Sequence, residues 1–156
     1  MKIILLVTCL FFIVCSFSFQ TLNTITLDLA IGDFYNNHSK RIFRYSEKKW
    51  HLENDTLTYN LTGEDYFDTL SLSKVQIEKI IQIIENQDLK KDITLVYNPP
   101  FKGRGTHTKK IKGELHINSE VYKYKMEESV YSILENKEYN NIQILETYLD
   151  SLTKKE

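Results

Sequence analysis

The stretch from Lys109 to Met126 constrains the fold more tightly than any other part of the chain. A hairpin turning at Asn118-Ser119 places Ile111 opposite Met126, Gly113 opposite Tyr124 and Leu115 opposite Tyr122, all on one face. Tyr124 then covers the bare glycine. On the other face Glu114 meets Lys123 and His116 meets Val121. A slip of one residue turns the whole apolar set toward water, so the two faces select this register. Asn-Ser is a weaker turn dipeptide than Asn-Gly, and the faces carry the assignment.

The same alternation recurs upstream. Residues 24–31 place Ile25, Leu27, Leu29 and Ile31 on one side and Thr26, Asp28 and Ala30 on the other, the pattern of a half-buried strand. Gly32-Asp33 and the run 36–39 carry turn chemistry, which predicts a second strand at 41–45. A third piece is expected at 49–52. After Glu53-Asn54-Asp55 a fourth follows at 56–61, with Leu57, Tyr59 and Leu61 inward.

Helix signals interrupt the strands twice. Ser73 and Gln76 form a capping-box pair, and Leu72 with Ile77 fits a hydrophobic staple. Val75, Ile77, Ile80, Ile81 and Ile84 read as the apolar stripe. Residues 93–97 form the next strand, stopped by Pro99-Pro100. After a short helical turn near 129–134, Asn140 or Asn141 caps a last helix through Ile142, Leu145, Leu149 and Leu152, with Lys154-Lys155 at its negative end. The expectation is an α+β domain of order β-β-β-β-α-β-β-β-α, an antiparallel meander with hairpins and two helices on one sheet face.

Residues 1–18 read as a signal peptide. Lys2 supplies the basic start, residues 3–14 the apolar stretch, and Ser16-Phe17-Ser18 the small residues before cleavage. The single domain 19–156 then lies outside the cytoplasm, periplasmic or secreted. Cys15 offers a lipid-anchor alternative, although Val14 before it is not the small residue that anchor prefers. An uncleaved anchor is the third option, diluted by Gln20, Thr21, Asn23, Thr24 and Thr26. Membrane contact is expected only through this N-terminal segment. Both cysteines, Cys9 and Cys15, fall within it, so the exported domain is held by packing without disulfides.

Formal net charge is −1, and removing Lys2 makes the remainder more acidic, which argues against nucleic acid as a partner. His38, His51, His107 and His116 occupy no metal-ligand spacing, with His107 on a loop and His116 on the solvent face of the hairpin. Glu64, Asp65 and Asp68 read as a solvated connector, lacking the glycine and terminal glutamate of a calcium loop. There is no Gly-x-Ser-x-Gly elbow and no phosphate loop around Gly103-Arg104-Gly105. No metal and no cofactor is implied. Asn37, Asn54 and Asn60 lie in glycosylation sequons, which matter only where the export route meets that machinery.

The connection over residues 98–108 is longer than a hairpin loop. Between Tyr97 and Gly113 the chain has five positive side chains and no acid. Phe101, Arg104 and His107, with Lys109 and Lys110, are the expected binding residues, an aromatic and cationic tip for an anionic or planar partner. The plain alternative is a loop beside a lysine-rich strand that resists aggregation. The function expected is a non-catalytic binding or inhibitor-type module for an extracytoplasmic protein or glycan. The alternative is a small secreted hydrolase whose carboxylates and histidines converge only in the fold.

Overall fold

Strand β1 (Ile25–Asn37) pairs along both edges, with β2 (Ile42–Glu53) on one side and β6 (Thr106–Ile117) on the other. The computed structural model describes residues 24–37, 40–62, 66–96 and 106–153, so the expected signal peptide, residues 1–18, lies outside the described residues. Beyond β2 come β3 (Thr56–Thr62) and β4 (Tyr66–Ser71). Beyond β6 come β7 (Glu120–Ser129) and β5 (Ile93–Val96), giving a seven-stranded sheet of order β4-β3-β2-β1-β6-β7-β5. Helices α1 (Lys74–Asn86) and α3 (Lys137–Thr153), with the short α2 (Val130–Ile133), complete the expected order of elements. The class is α+β.

The expected order holds, but two of its strands are arranged differently. Gly32-Asp33 is not a turn: β1 continues through it to Asn37, and β2 joins the two expected strands at 41–45 and 49–52 into one. Continuous pairing on both edges outweighs local turn chemistry there, because every backbone donor of the segment has a neighbouring strand to meet. The fourth strand is 66–71, which takes Asp68 out of the supposed connector and onto the sheet.

The sheet is mixed rather than wholly antiparallel, since β5 runs parallel to β7. Strand β6 has its second edge occupied by β1, so the free edge of β7 is what β5 meets after α1. The hairpin register is as expected at each pair, Gly113 with Tyr124 included, and Asn118 takes the turn with φ 57°.

The helices bury one face of the sheet. Ile25, Leu27, Leu29 and Ile31 of β1, Trp50 and Leu52 of β2, Leu57 and Tyr59 of β3, and Ile111 and Leu115 of β6 meet Ile80, Ile84, Ile142, Leu145 and Leu149 in one core. Each such apolar side chain contributes about 2 kcal/mol on burial. The capping box at Ser73 is formed in both directions. Val75, however, stands 73% exposed while Ile83 is buried. Two residues before Ile77, Val75 projects about 200° round the helix, away from the sheet. The cap of α3 comes a turn earlier than expected: Asn136 Oδ1 accepts the Tyr139 N–H at 2.9 Å. Asn141 instead donates to the Gln87 carbonyl at 2.8 Å, tying α3 to the end of α1.

Charges also meet within this interface. Lys48, beside Ile31 in register, reaches α3 and binds Glu146 at 3.3 Å and Asp150 at 2.5 Å. Burial works against its ammonium. The Asp150 hydrogen bond and the charges of both carboxylates outweigh that and hold its pKa above the usual lysine value.

Gly113 of β6 lies between Asp28 of β1 and Tyr124 of β7. An added Cβ would lie 2.8 Å from the Asp28 carbonyl and 3.0 Å from the Tyr124 ring. The carbonyl belongs to a paired strand and cannot yield. Gly113→Ala is expected to lower stability by about 2 kcal/mol, read as a shift in the denaturant midpoint at unchanged slope.

Candidate functional site

Three strands carry the site at the end of the sheet beyond β3. Strand β3 begins its pairing with β2 at Glu47, so residues 42–46 of β2 lie beyond it, alongside the ends of β1 and β6. The alternation that buries Leu27, Leu29 and Ile31 continues on the same face with Asp33 and Tyr35. Register sets Asp33 between Ser46 and Lys109, and Tyr35 between Arg44 and His107. Polar side chains thus follow the apolar row toward the end of these strands.

Asp33 is the hub of this end. Its Oδ1 is hydrogen-bonded to His107 Nε2, and its Oδ2 lies 3.7 Å from the Lys109 ammonium. The Tyr35 ring stands edge-on to the His107 imidazole, with centroids 5.8 Å apart and planes at 87°. Asn37 donates to the Tyr35 hydroxyl at 3.2 Å. Asp33, Tyr35 and His107, with Lys40 and Arg44, line an open concavity of about 850 Å³. Among the described residues Asp33 is the one acid in that lining and is already shared by two bases. Lys40 and Arg44 make no ion pair among the described residues. The concavity therefore presents positive charge.

The opposite face of the same strands is aromatic. Phe34 and Phe43 meet edge to face at 5.1 Å, and Lys110 stands 5.7 Å over the Phe34 ring while pairing with Glu127 at 2.9 Å. Phe43 is 63% and Tyr45 42% exposed.

The expected binding residues are thus separated. Phe101 and Arg104 lie outside the described residues. His107 is not on a loop, because β6 begins at Thr106. It and Lys109 share the concave face. Lys110, one residue on, projects from the other face, as strand periodicity requires. Asp33, Tyr35, Arg44 and Tyr45 escaped the sequence reading because Gly32-Asp33 looked like a turn. The signal available was the alternation Ile31, Asp33, Tyr35 continuing that of residues 25–31.

The other titratable groups sit elsewhere. His51, on the uncovered face, has Nδ1 2.7 Å from Asp28 and Nε2 3.7 Å from Glu53, at a shallow depression of about 450 Å³ that also includes Lys49, Lys112 and Glu114. His116 pairs with Glu114 at 2.6 Å. Asp68 faces Tyr59 in register on the inner side. His38, Glu64 and Asp65 lie outside the described residues. Among the described residues no three histidine or carboxylate side chains gather to hold a metal ion, and no helix is long and apolar enough to cross a membrane.

The hydrogen bond from Asp28, together with its charge and that of Glu53, outweighs partial burial and raises the His51 pKa. A raised histidine pKa stabilises the fold at acid pH and loses that contribution as pH rises through the folded value. In Asp28→Asn the His51 imidazole is expected to titrate closer to the ordinary histidine range by NMR. The stability gap between the two proteins should be larger at pH 5 than at pH 9.

The chain matches no known family model and no curated protein.

Proposed function

We propose that the protein is an exported, non-catalytic binding module. In this reading it acts on an extracytoplasmic protein or glycan and takes an anionic group of that partner into the concavity at the end of β1, β2 and β6. One observation carries the reading: among the described residues Lys40 and Arg44 stand without ion pairs near Tyr35, while the acid of that lining, Asp33, is engaged by His107 and Lys109. Unpaired cations beside aromatic rings favour a planar or anionic group, which supplies charge to the first and contact area to the second.

The Asp33–His107 pair is what speaks for a small hydrolase. A two-carboxylate glycosidase needs a second acid across the substrate, and among the described residues Asp33 is the one acid lining this concavity. Nucleophilic catalysis needs a hydroxyl or thiol held by the base. Ser46, next to Asp33 in register, makes no hydrogen bond to His107 among the described residues. Binding is the reading the geometry favours.

Fluorescently labelled polyglutamate and polygalacturonate serve as anionic probes of the domain. Binding that weakens with added salt and falls about tenfold in a Lys40→Ala, Arg44→Ala variant is the expected result, as for two charge contacts of about 0.7 kcal/mol each. Equal binding by both proteins, or no binding of either polymer at low salt, overturns the assignment.

A further inference from the structure

The concavity borders a stretch of unpaired strand edge, and resting on the function proposed above, we infer that its occupant is an extended acidic peptide segment that adds to β2 as a further strand. Strand β2 pairs with β1 along its whole length but with β3 only from Glu47 to Glu53, which leaves residues 42–46 with one neighbouring strand among the described residues. Hydrogen-bonding direction in that stretch follows from the hairpin. The two-residue turn at Asn54-Asp55 closes on the pair Glu53 and Thr56, so Glu53, His51, Lys49 and Glu47 direct their backbone groups to β3. The alternation continues without a break in register, so Tyr45 and Phe43 direct N–H and C=O outward from the free edge. Ser46 and Arg44 direct theirs to β1.

Side chains specify what such a strand carries. A residue placed opposite Arg44 projects on the concave face, beside Arg44 and near Lys40, where an acid is complementary. Residues opposite Phe43 and Tyr45 project on the other face, beside two exposed rings, where an apolar side chain gains contact. The recognised pattern is therefore apolar, acidic, apolar in successive residues. The two outer strands of the sheet lack this combination: β4 and β5 contain no basic residue. Main-chain bonds give such an interaction its affinity and alternate side chains its specificity.

The test separates backbone pairing from side-chain contact at one position. Tyr45→Pro removes the outward N–H while leaving the pairing to β1, a placement that strand edges tolerate. Tyr45→Ala removes only the ring. Circular dichroism and the unfolding midpoint establish that both variants fold. The probes are a short peptide alternating glutamate and valine, the same peptide N-methylated on alternate residues, and polygalacturonate. Strand addition predicts that the plain peptide binds and loses at least about tenfold more affinity in Tyr45→Pro than in Tyr45→Ala, and that the N-methylated peptide does not bind. Equal losses in the two variants, or binding of the N-methylated peptide, overturn strand addition. So does polygalacturonate bound in preference to the peptide and unaffected by Tyr45→Pro, which leaves the anionic binding function standing with a glycan as its ligand. Failure of every anionic probe overturns the function itself along with this mode of recognition.

Discussion

Strand β1 is hydrogen-bonded along both edges, and the rest of the architecture depends on that double pairing. It fixes β2 and β6 against one another, and through them β3 and β7. Because side chains alternate, the register of β1 also decides which faces of five strands point at the helices. Ile25, Leu27, Leu29 and Ile31 are all 5% exposed or less, so moving β1 by one residue would exchange that row for Thr26, Asp28 and Ala30. The glycine at position 113 belongs to the same constraint, since it allows the Tyr124 ring and the Asp28 backbone to close over it.

The candidate site is a consequence of this strand running on past β3. Helix α3 reaches across the sheet as far as Lys48, which joins it through Glu146 and Asp150. Past that point the inward row of β1 changes from isoleucine and leucine to Asp33 and Tyr35, while α3 meets β6 at Lys109, whose ammonium stands 5.9 Å from the Tyr139 ring. A face that is apolar under the helices becomes polar toward its end, where water competes for the side chains. Asp33 is satisfied by His107 and Lys109, and the cations left over give the concavity its character.

How much of this was legible in the residues varied by element. The β6–β7 hairpin could be read pair by pair, since a glycine faces a tyrosine on one side and Glu114 faces Lys123 on the other. The start of α1 was equally plain, because a capping box is a local arrangement of adjacent residues. The continuation of β1 through Gly32-Asp33 was hidden, as was the unity of β2, because local turn preference is weaker than two flanking strands that the residues themselves do not announce. The parallel placement of β5 depended on which sheet edge was free once β1 had taken β6. His107 and Lys109 were anticipated as binding residues, whereas their partner Asp33, 74 residues from His107 in the chain, was not.

What the sequence determined alone is therefore local: alternation that makes strands, a cap that starts a helix, a hairpin register set by its two faces. These follow from interactions between residues a few positions apart, or opposite one another across a short turn. What only the tertiary structure decided is long-range. It made β1 the centre, left residues 42–46 of β2 without a second neighbour among the described residues, and gathered Asp33, Arg44 and His107 around one concavity. The physical reason is that strand pairing is a competition among edges for backbone partners, and its outcome depends on every strand together.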